Sequence, residues 1–224
     1  MPLRLLGGVA VRVRASGGLP ASLEREYKDI DVATSRKGSG AAAKLLKEAG
    51  YEPHVGFNAM NARERLLFFD EPNGRQLDVF VGSFRMCHEI PLEQRLTVDA
   101  ATVPLAELLL TKLQIVELNE KDVRDTVALF HEHEVTDDDA GLNGTRVAEL
   151  CGADWGLWRT ITANLENVRS HLDRYALSPA ENELVNARIA TVQARIEATP
   201  KTRAWRLRAR VGDRVKWYEI PEEV

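Results

Sequence analysis

Leu3-Arg4-Leu5-Leu6-Gly7-Gly8-Val9-Ala10 and, further along, Asp29-Ile30-Asp31-Val32-Ala33 are the stretches whose reading decides the fold. Leu3 to Leu6 reads as a short strand ended by a glycine pair, and a helix follows from Val9 to about Ala15, broken by Ser16-Gly17-Gly18 and Pro20. Asp29 to Ala33 alternates polar and apolar residues, the period of a strand with one buried face. Carboxylates at i and i+2 on a strand point to the same face. Two such charges repel, so the pair is stable mainly with a cation beside it. Mg²⁺ is held by carboxylates together with substrate phosphates, a task this pair suits. Gly7 and Gly8 have no Cβ, so phosphate oxygens could approach the backbone N–H groups that open the helix. Asp78, in Gln76-Leu77-Asp78-Val79-Phe80, supplies a third carboxylate from another strand, fit to bind metal or to activate an attacking hydroxyl.

The rest of the chain frames these residues. With 224 residues, 44% hydrophobic and 29% charged, it is long enough for one large domain or two small ones. A formal net charge of −4 excludes both a wholly basic nucleic-acid binder and a disordered acidic protein. Cys87 and Cys151 are too few for a disulfide framework or a zinc cage, and no apolar run approaches membrane-spanning length. A cytoplasmic protein without a membrane partner is expected. Ala41 to Ala49 reads as a helix stopped by Gly50, and Leu66 to Phe69 and Gln76 to Val81 as strands joined through Pro72-Asn73-Gly74. After about Leu105 the pattern is helical. Leu105, Leu108, Leu109, Leu113 and Val116 mark one helix; Val123, Val127 and Phe130 a second, with Asn119 as its cap; Leu157 to Leu172 and Val185 to Ile196 a longer pair, the latter opened by Ser178-Pro179-Ala180-Glu181. From Trp205 to Val211 apolar residues alternate with Arg206, Arg208 and Arg210. With Gly212-Asp213 as a turn, this reads as a β-hairpin with one basic face, suited either to keep an edge strand from pairing with other chains or to follow an RNA backbone.

Strand, Gly-Gly, helix, Asp-x-Asp strand and a later strand Asp is the order of the nucleotidyltransferase superfold. Within it the chain most resembles the AbiEii family of toxin nucleotidyltransferases over about residues 3 to 130. The resemblance lies in Leu5-Leu6-Gly7-Gly8-Val9-Ala10, in Asp29-Ile30-Asp31, in Leu108-Leu109-Leu110-Thr111-Lys112-Leu113 and in Lys121-Asp122-Val123-Arg124-Asp125. Lys112 stands out on its own, because it shares a helical face with Leu105, Leu108, Leu109 and Val116. A lysine there needs an anion or a route to solvent, and a triphosphate, Asp122 or snorkelling would each serve. Asp122 also suits the third position of a helix capped by Asn119. The chain departs from the family pattern with Gly8 where many members have serine, and with a longer Gly8-to-Asp29 gap containing Gly17-Gly18-Leu19-Pro20.

The fold class expected is α+β: a small mixed-sheet nucleotidyltransferase domain over residues 1–100, a helical domain over 101–199 and a basic hairpin over 200–224. The resemblance implies a Mg²⁺-dependent transfer of a nucleoside monophosphate from a nucleoside triphosphate to an acceptor hydroxyl, RNA such as a tRNA 3′ end being one acceptor and an antitoxin a partner. Asp29, Asp31 and Asp78 would hold the metal, Gly7, Gly8 and Arg12 the phosphates, and Lys112 with Asp122 would complete the cleft. Modification of a small-molecule antibiotic, or binding without catalysis, fits the same residues.

Overall fold

A computed structural model describes residues 1–220, and contacts divide the chain into two compact units. The first comprises residues 1–16, 25–85 and 89–104; the second comprises 17–24, 86–88 and the chain from Leu105 onward. The architecture is α+β, with a mixed five-stranded sheet in the first unit.

That sheet is built from β1 (Leu3–Leu6), β2 (Asp29–Thr34), β3 (Glu52–Pro53), β4 (Arg65–Asp70) and β5 (Arg75–Val81), in the order β1-β2-β5-β4-β3. Only β2 and β5 are parallel; the other neighbours are antiparallel. Helix α1 (Gly7–Arg14) leaves β1 directly, α2 (Ser39–Glu48) links β2 to β3, and α3 (Val55–Asn61) lies between β3 and β4. Asn58 of α3 extends the sheet edge, its amide donating to the Leu67 carbonyl at 3.0 Å and accepting from the Leu67 N–H at 2.7 Å. Alternation along the strands separates two faces. Val32, Leu66, Phe68, Leu77 and Val79 point to one, where Leu46 of α2 completes an apolar core. Asp29, Asp31 and Asp78 point to the other. Gly74, at φ 59°, turns β4 into β5 at the expected Asn73-Gly74 step. Strands β6 (Ser83–Arg85) and β7 (Glu89–Pro91) form a separate antiparallel pair.

The second unit is mainly helical: α4 (Leu105–Leu113), α5 (Glu120–Glu132), α6 (Gly144–Ala153), α7 (Trp155–Ser170), α8 (Pro179–Ala198) and α9 (Arg203–Val211), with a short parallel pair β8 (Val135–Thr136) and β9 (Leu142–Asn143). Every residue of α4 is buried, so it is the central helix of this unit rather than an amphipathic surface one. Asn119 caps α5, its side chain accepting from the Asp122 N–H at 3.0 Å. Ser178 and Glu181 form the reciprocal capping box of α8. Among the described residues, no helix is long and apolar enough to cross a membrane.

The C-terminal segment departs from the expected hairpin. Arg203–Val211 is a helix capped by Thr202, Val215 to Ile220 forms no strand, and residues 221–224 of the expected hairpin lie outside the described residues. The period-two alternation of arginine with apolar residues also satisfies a helix. Trp205, Arg208 and Ala209 fall on one face at i, i+3 and i+4, and alanine, leucine and arginine are strong helix formers. Trp205 packs edge-on against Trp158 at 5.2 Å, and Arg208 lies over the Trp155 ring at 4.7 Å. The three arginines therefore do not share a face: Arg206 and Arg210 are exposed, while Arg208 turns inward.

Candidate functional site

The polar face of the sheet brings the carboxylates together by register. Asp31 of β2 and Asp78 of β5 are direct partners in the parallel ladder, and Asp29 partners Gln76 two pairs away. Partners on parallel strands point to the same face, roughly 4.8 Å apart. Asp29 is exposed, Asp31 half-buried and Asp78 buried.

Gly7 stands against Asp31. Leu6 is the ladder partner of Asp31, so the chain leaves β1 for α1 beside that carboxylate. Gly7 has φ 64°, and a Cβ there would overlap Asp31 Oδ2 and lie 2.9 Å from Asp31 Cγ. Both the backbone conformation and the close approach require glycine. A Cβ on Gly8 would overlap Arg25 Nη2 and come within 2.9 Å of Tyr27, whose ring lies 4.4 Å beneath the Arg25 guanidinium. Helix α1 has no side-chain cap from Leu6 and no acid in its first turn. Its N-terminus is therefore a positive end whose neighbouring anion comes from β2, the Asp31 carboxylate against Gly7. Arg12 lies exposed in the last turn of α1, just over one turn beyond Gly8.

Asp78 is held at both oxygens. Arg65 Nε donates to Oδ1 at 2.7 Å, and Gln76 Nε2 donates to Oδ2 at 2.8 Å. Arg65 has only 18% of its side chain exposed. Its guanidinium lies 5.7 Å from the centre of the Phe57 ring and 5.3 Å from that of Phe80. Sequence reasoning passed over Arg65, because its meeting with Asp78 depends on the β4–β5 register and on no local motif. Next to Asp29, an open groove is lined by Lys28, Phe69, Arg75 and Gln76.

The expected set of three carboxylate metal ligands meets this geometry only in part. Among the described residues, no group of three or more His, Cys, Asp or Glu side chains is disposed to hold a metal ion. The bonds that Asp78 accepts from Arg65 and Gln76 turn its oxygens toward those partners. Asp29 and Asp31 remain as a same-face pair. One or two carboxylates with substrate phosphates are the usual holders of Mg²⁺, so the donor set fits that ion when a triphosphate contributes the other ligands.

Lys112 and Asp122 belong to the second unit and are partners there. Lys112 Nζ lies 2.9 Å from Asp122 Oδ1 and 2.9 Å from Asp125 Oδ2. Burial by itself would lower the Lys112 pKa; the Asp125 and Asp122 charges outweigh it and raise the value above the ordinary one. Asp125 is buried and is the second anion of this cluster.

Comparison with protein-family models, with curated proteins and with solved structures gives no match.

Proposed function

We propose that the protein is a nucleotidyltransferase, moving a nucleoside monophosphate from a nucleoside triphosphate to an acceptor hydroxyl. The observation that carries this reading is the juxtaposition of Gly7 and Asp31, with Asp78 in register beside them. A helix opening at a glycine pair, one strand away from a same-face carboxylate pair, suits a substrate that carries both phosphate and a divalent cation. With no Cβ, Gly7 and Gly8 admit Asp31 and Arg25 at the positive end of α1, so a carboxylate for the metal and a cation for triphosphate oxygens stand there together. Asp29 and Asp31 would hold Mg²⁺, which when bound supplies Lewis-acid stabilisation of the phosphate charge.

The reaction balances as follows. The acceptor oxygen forms a bond to the α-phosphorus, the bond from that phosphorus to the α–β bridging oxygen breaks, and pyrophosphate leaves with the electron pair. The hydroxyl proton passes to Asp78, whose oxygens retain lone pairs beyond the bonds from Arg65 and Gln76. The groove beside Asp29 gives the acceptor an approach over β5 and β4, on the side of the carboxylates away from the glycines. RNA is the acceptor implied by the AbiEii-like motifs.

The test is incubation with each α-labelled nucleoside triphosphate, Mg²⁺ and total RNA or a panel of hydroxylated antibiotics, in wild type and Asp31→Ala. Labelled product from wild type and its loss by several orders of magnitude in the folded variant are expected. Transfer at the wild-type rate by Asp31→Ala would remove the assignment.

A further inference from the structure

Arg65 is a strong cation that β4 places against the carboxylate face of the first unit without any motif to announce it. Of its five N–H donors, Nε is bonded to Asp78, and among the described residues no other acceptor pairs with the guanidinium. The group is nonetheless mostly enclosed, with Phe57 and Phe80 at its sides. Its remaining nitrogens are not among the sealed, unpartnered atoms of the described residues, so they open to solvent. A guanidinium held at one edge by a carboxylate and flanked by aromatic rings has lost most of its rotational freedom before any ligand arrives. Its free edge is a preformed fork for an oxyanion.

We propose that this edge of Arg65 is a phosphoryl-binding site, at which terminal guanidinium nitrogens donate to non-bridging oxygens of the substrate. The inference rests on the nucleotidyltransferase reading for the identity of the ligand, while the geometry alone indicates an anion. Because Asp31 and Asp78 are ladder partners, a phosphate set against Asp31 lies roughly one or two strand spacings, about 5–10 Å, from the β4 backbone that carries Arg65. An extended arginine covers that span. Negative charge on the transferring group would then meet a fixed guanidinium cation on the side away from Gly7 and Gly8. Arg65 in this role touches substrate, and its grip on Asp78 sets the orientation of the fork.

A structural ion pair and an anion site respond oppositely to loss of the acid, and calorimetric titration with inorganic tripolyphosphate, with and without Mg²⁺, separates them. Arg65→Gln, checked for folding by circular dichroism, is expected to bind tripolyphosphate about tenfold or more weakly than wild type, as loss of charge-assisted hydrogen bonds implies. Arg65→Lys should be intermediate, because the charge stays and the fork goes. Asp78→Asn keeps an Oδ1 acceptor for Arg65 Nε, so the fork stays oriented, and it removes a negative charge, so metal-free affinity should be equal to or tighter than wild type. Unchanged affinity in Arg65→Gln overturns the proposal. So does weakened metal-free binding in Asp78→Asn, which serves as the test should Arg65→Gln fail to fold. Wild type that binds tripolyphosphate through Arg65 but no nucleoside triphosphate would sink the nucleotidyltransferase reading and leave the anion site standing. Wild type that binds neither would sink both.

Discussion

At Gly7 the backbone turns with φ 64° while Asp31 Oδ2 occupies the space a side chain would need. Gly7→Ala must therefore bear the left-handed conformation, about 1–2 kcal/mol for a residue with a Cβ, and also push the Asp31 carboxylate aside. A lower melting temperature together with weakened Mg²⁺–triphosphate binding is expected; thermal unfolding and calorimetry on one sample read both. Gly18, at φ 85° with nothing near its absent Cβ, is the control, where alanine should affect stability alone. Lys112 gives a second residue-scale expectation. Removing it leaves Asp122 and Asp125 facing each other with their side chains only 14% and 3% exposed, so Lys112→Ala should cost about 3–5 kcal/mol, measured by urea unfolding. The pH dependence has a definite sign. Because the folded pKa of Lys112 is raised above 10.5, its stabilisation is fully present below that pH and is lost as pH climbs through the folded value. Alkaline unfolding should come earlier in the variant's stability profile only as an offset, with a shallower slope above pH 10.5 than in wild type. The anomaly of a lysine on a leucine stripe was legible in the sequence. Asp125 was not, since its burial comes from the packing of α5, and neither was Arg65, since one residue of register decides what it meets.

Among the elements, α9 shows where periodicity misleads. A seven-residue alternation of arginine and apolar side chains satisfies both a strand and a helix, and tertiary contacts decide between them. Trp158 and Trp155 offer a place for Trp205 and Arg208 on one helical face, whereas a strand there finds no ladder among the described residues. Arg208 also donates to the Gly212 carbonyl at 2.8 Å and the Val215 carbonyl at 2.6 Å. Arg208→Ala should therefore destabilise the protein by about 1–3 kcal/mol, through lost stacking on Trp155 and two lost charge-assisted hydrogen bonds, while Arg206→Ala stays within about 0.5 kcal/mol. Equal effects in chemical denaturation would favour three equivalent arginines, as on a strand. Strands β1, β2, β4 and β5 and helices α1, α2, α5, α7 and α8 were legible because each has either a clean period or a capping signal, whereas the two-residue β3 is too short for either. Helix α3 was not, having no buried residue to give it a stripe. Helix α6 escaped because its cap, Asn143, sits at the end of a polar stretch that reads as loop.

At the scale of the whole chain, the change of character near Leu105 coincides with the start of the main segment of the second unit. The assignment of residues 17–24 and 86–88 to that unit has no counterpart in composition or pattern, because excursions of a few residues are fixed by long-range packing alone. Within the first unit, order along the sheet carries the functional claim: the glycine pair where β1 gives way to α1, Asp29 and Asp31 on β2, Asp78 on β5, Arg65 on β4. The claim is that the face displaying these residues binds a metal–triphosphate complex. Its most direct test is calorimetric titration of a nucleoside triphosphate into wild type and Asp29→Asn/Asp31→Asn, with Mg²⁺ and with EDTA. Wild type should bind in Mg²⁺ and lose at least about tenfold in affinity in EDTA, about 1.4 kcal/mol, while the folded double variant should bind weakly and without regard to Mg²⁺. Mg²⁺-dependent binding of equal strength in the double variant, or none in wild type, would contradict the account.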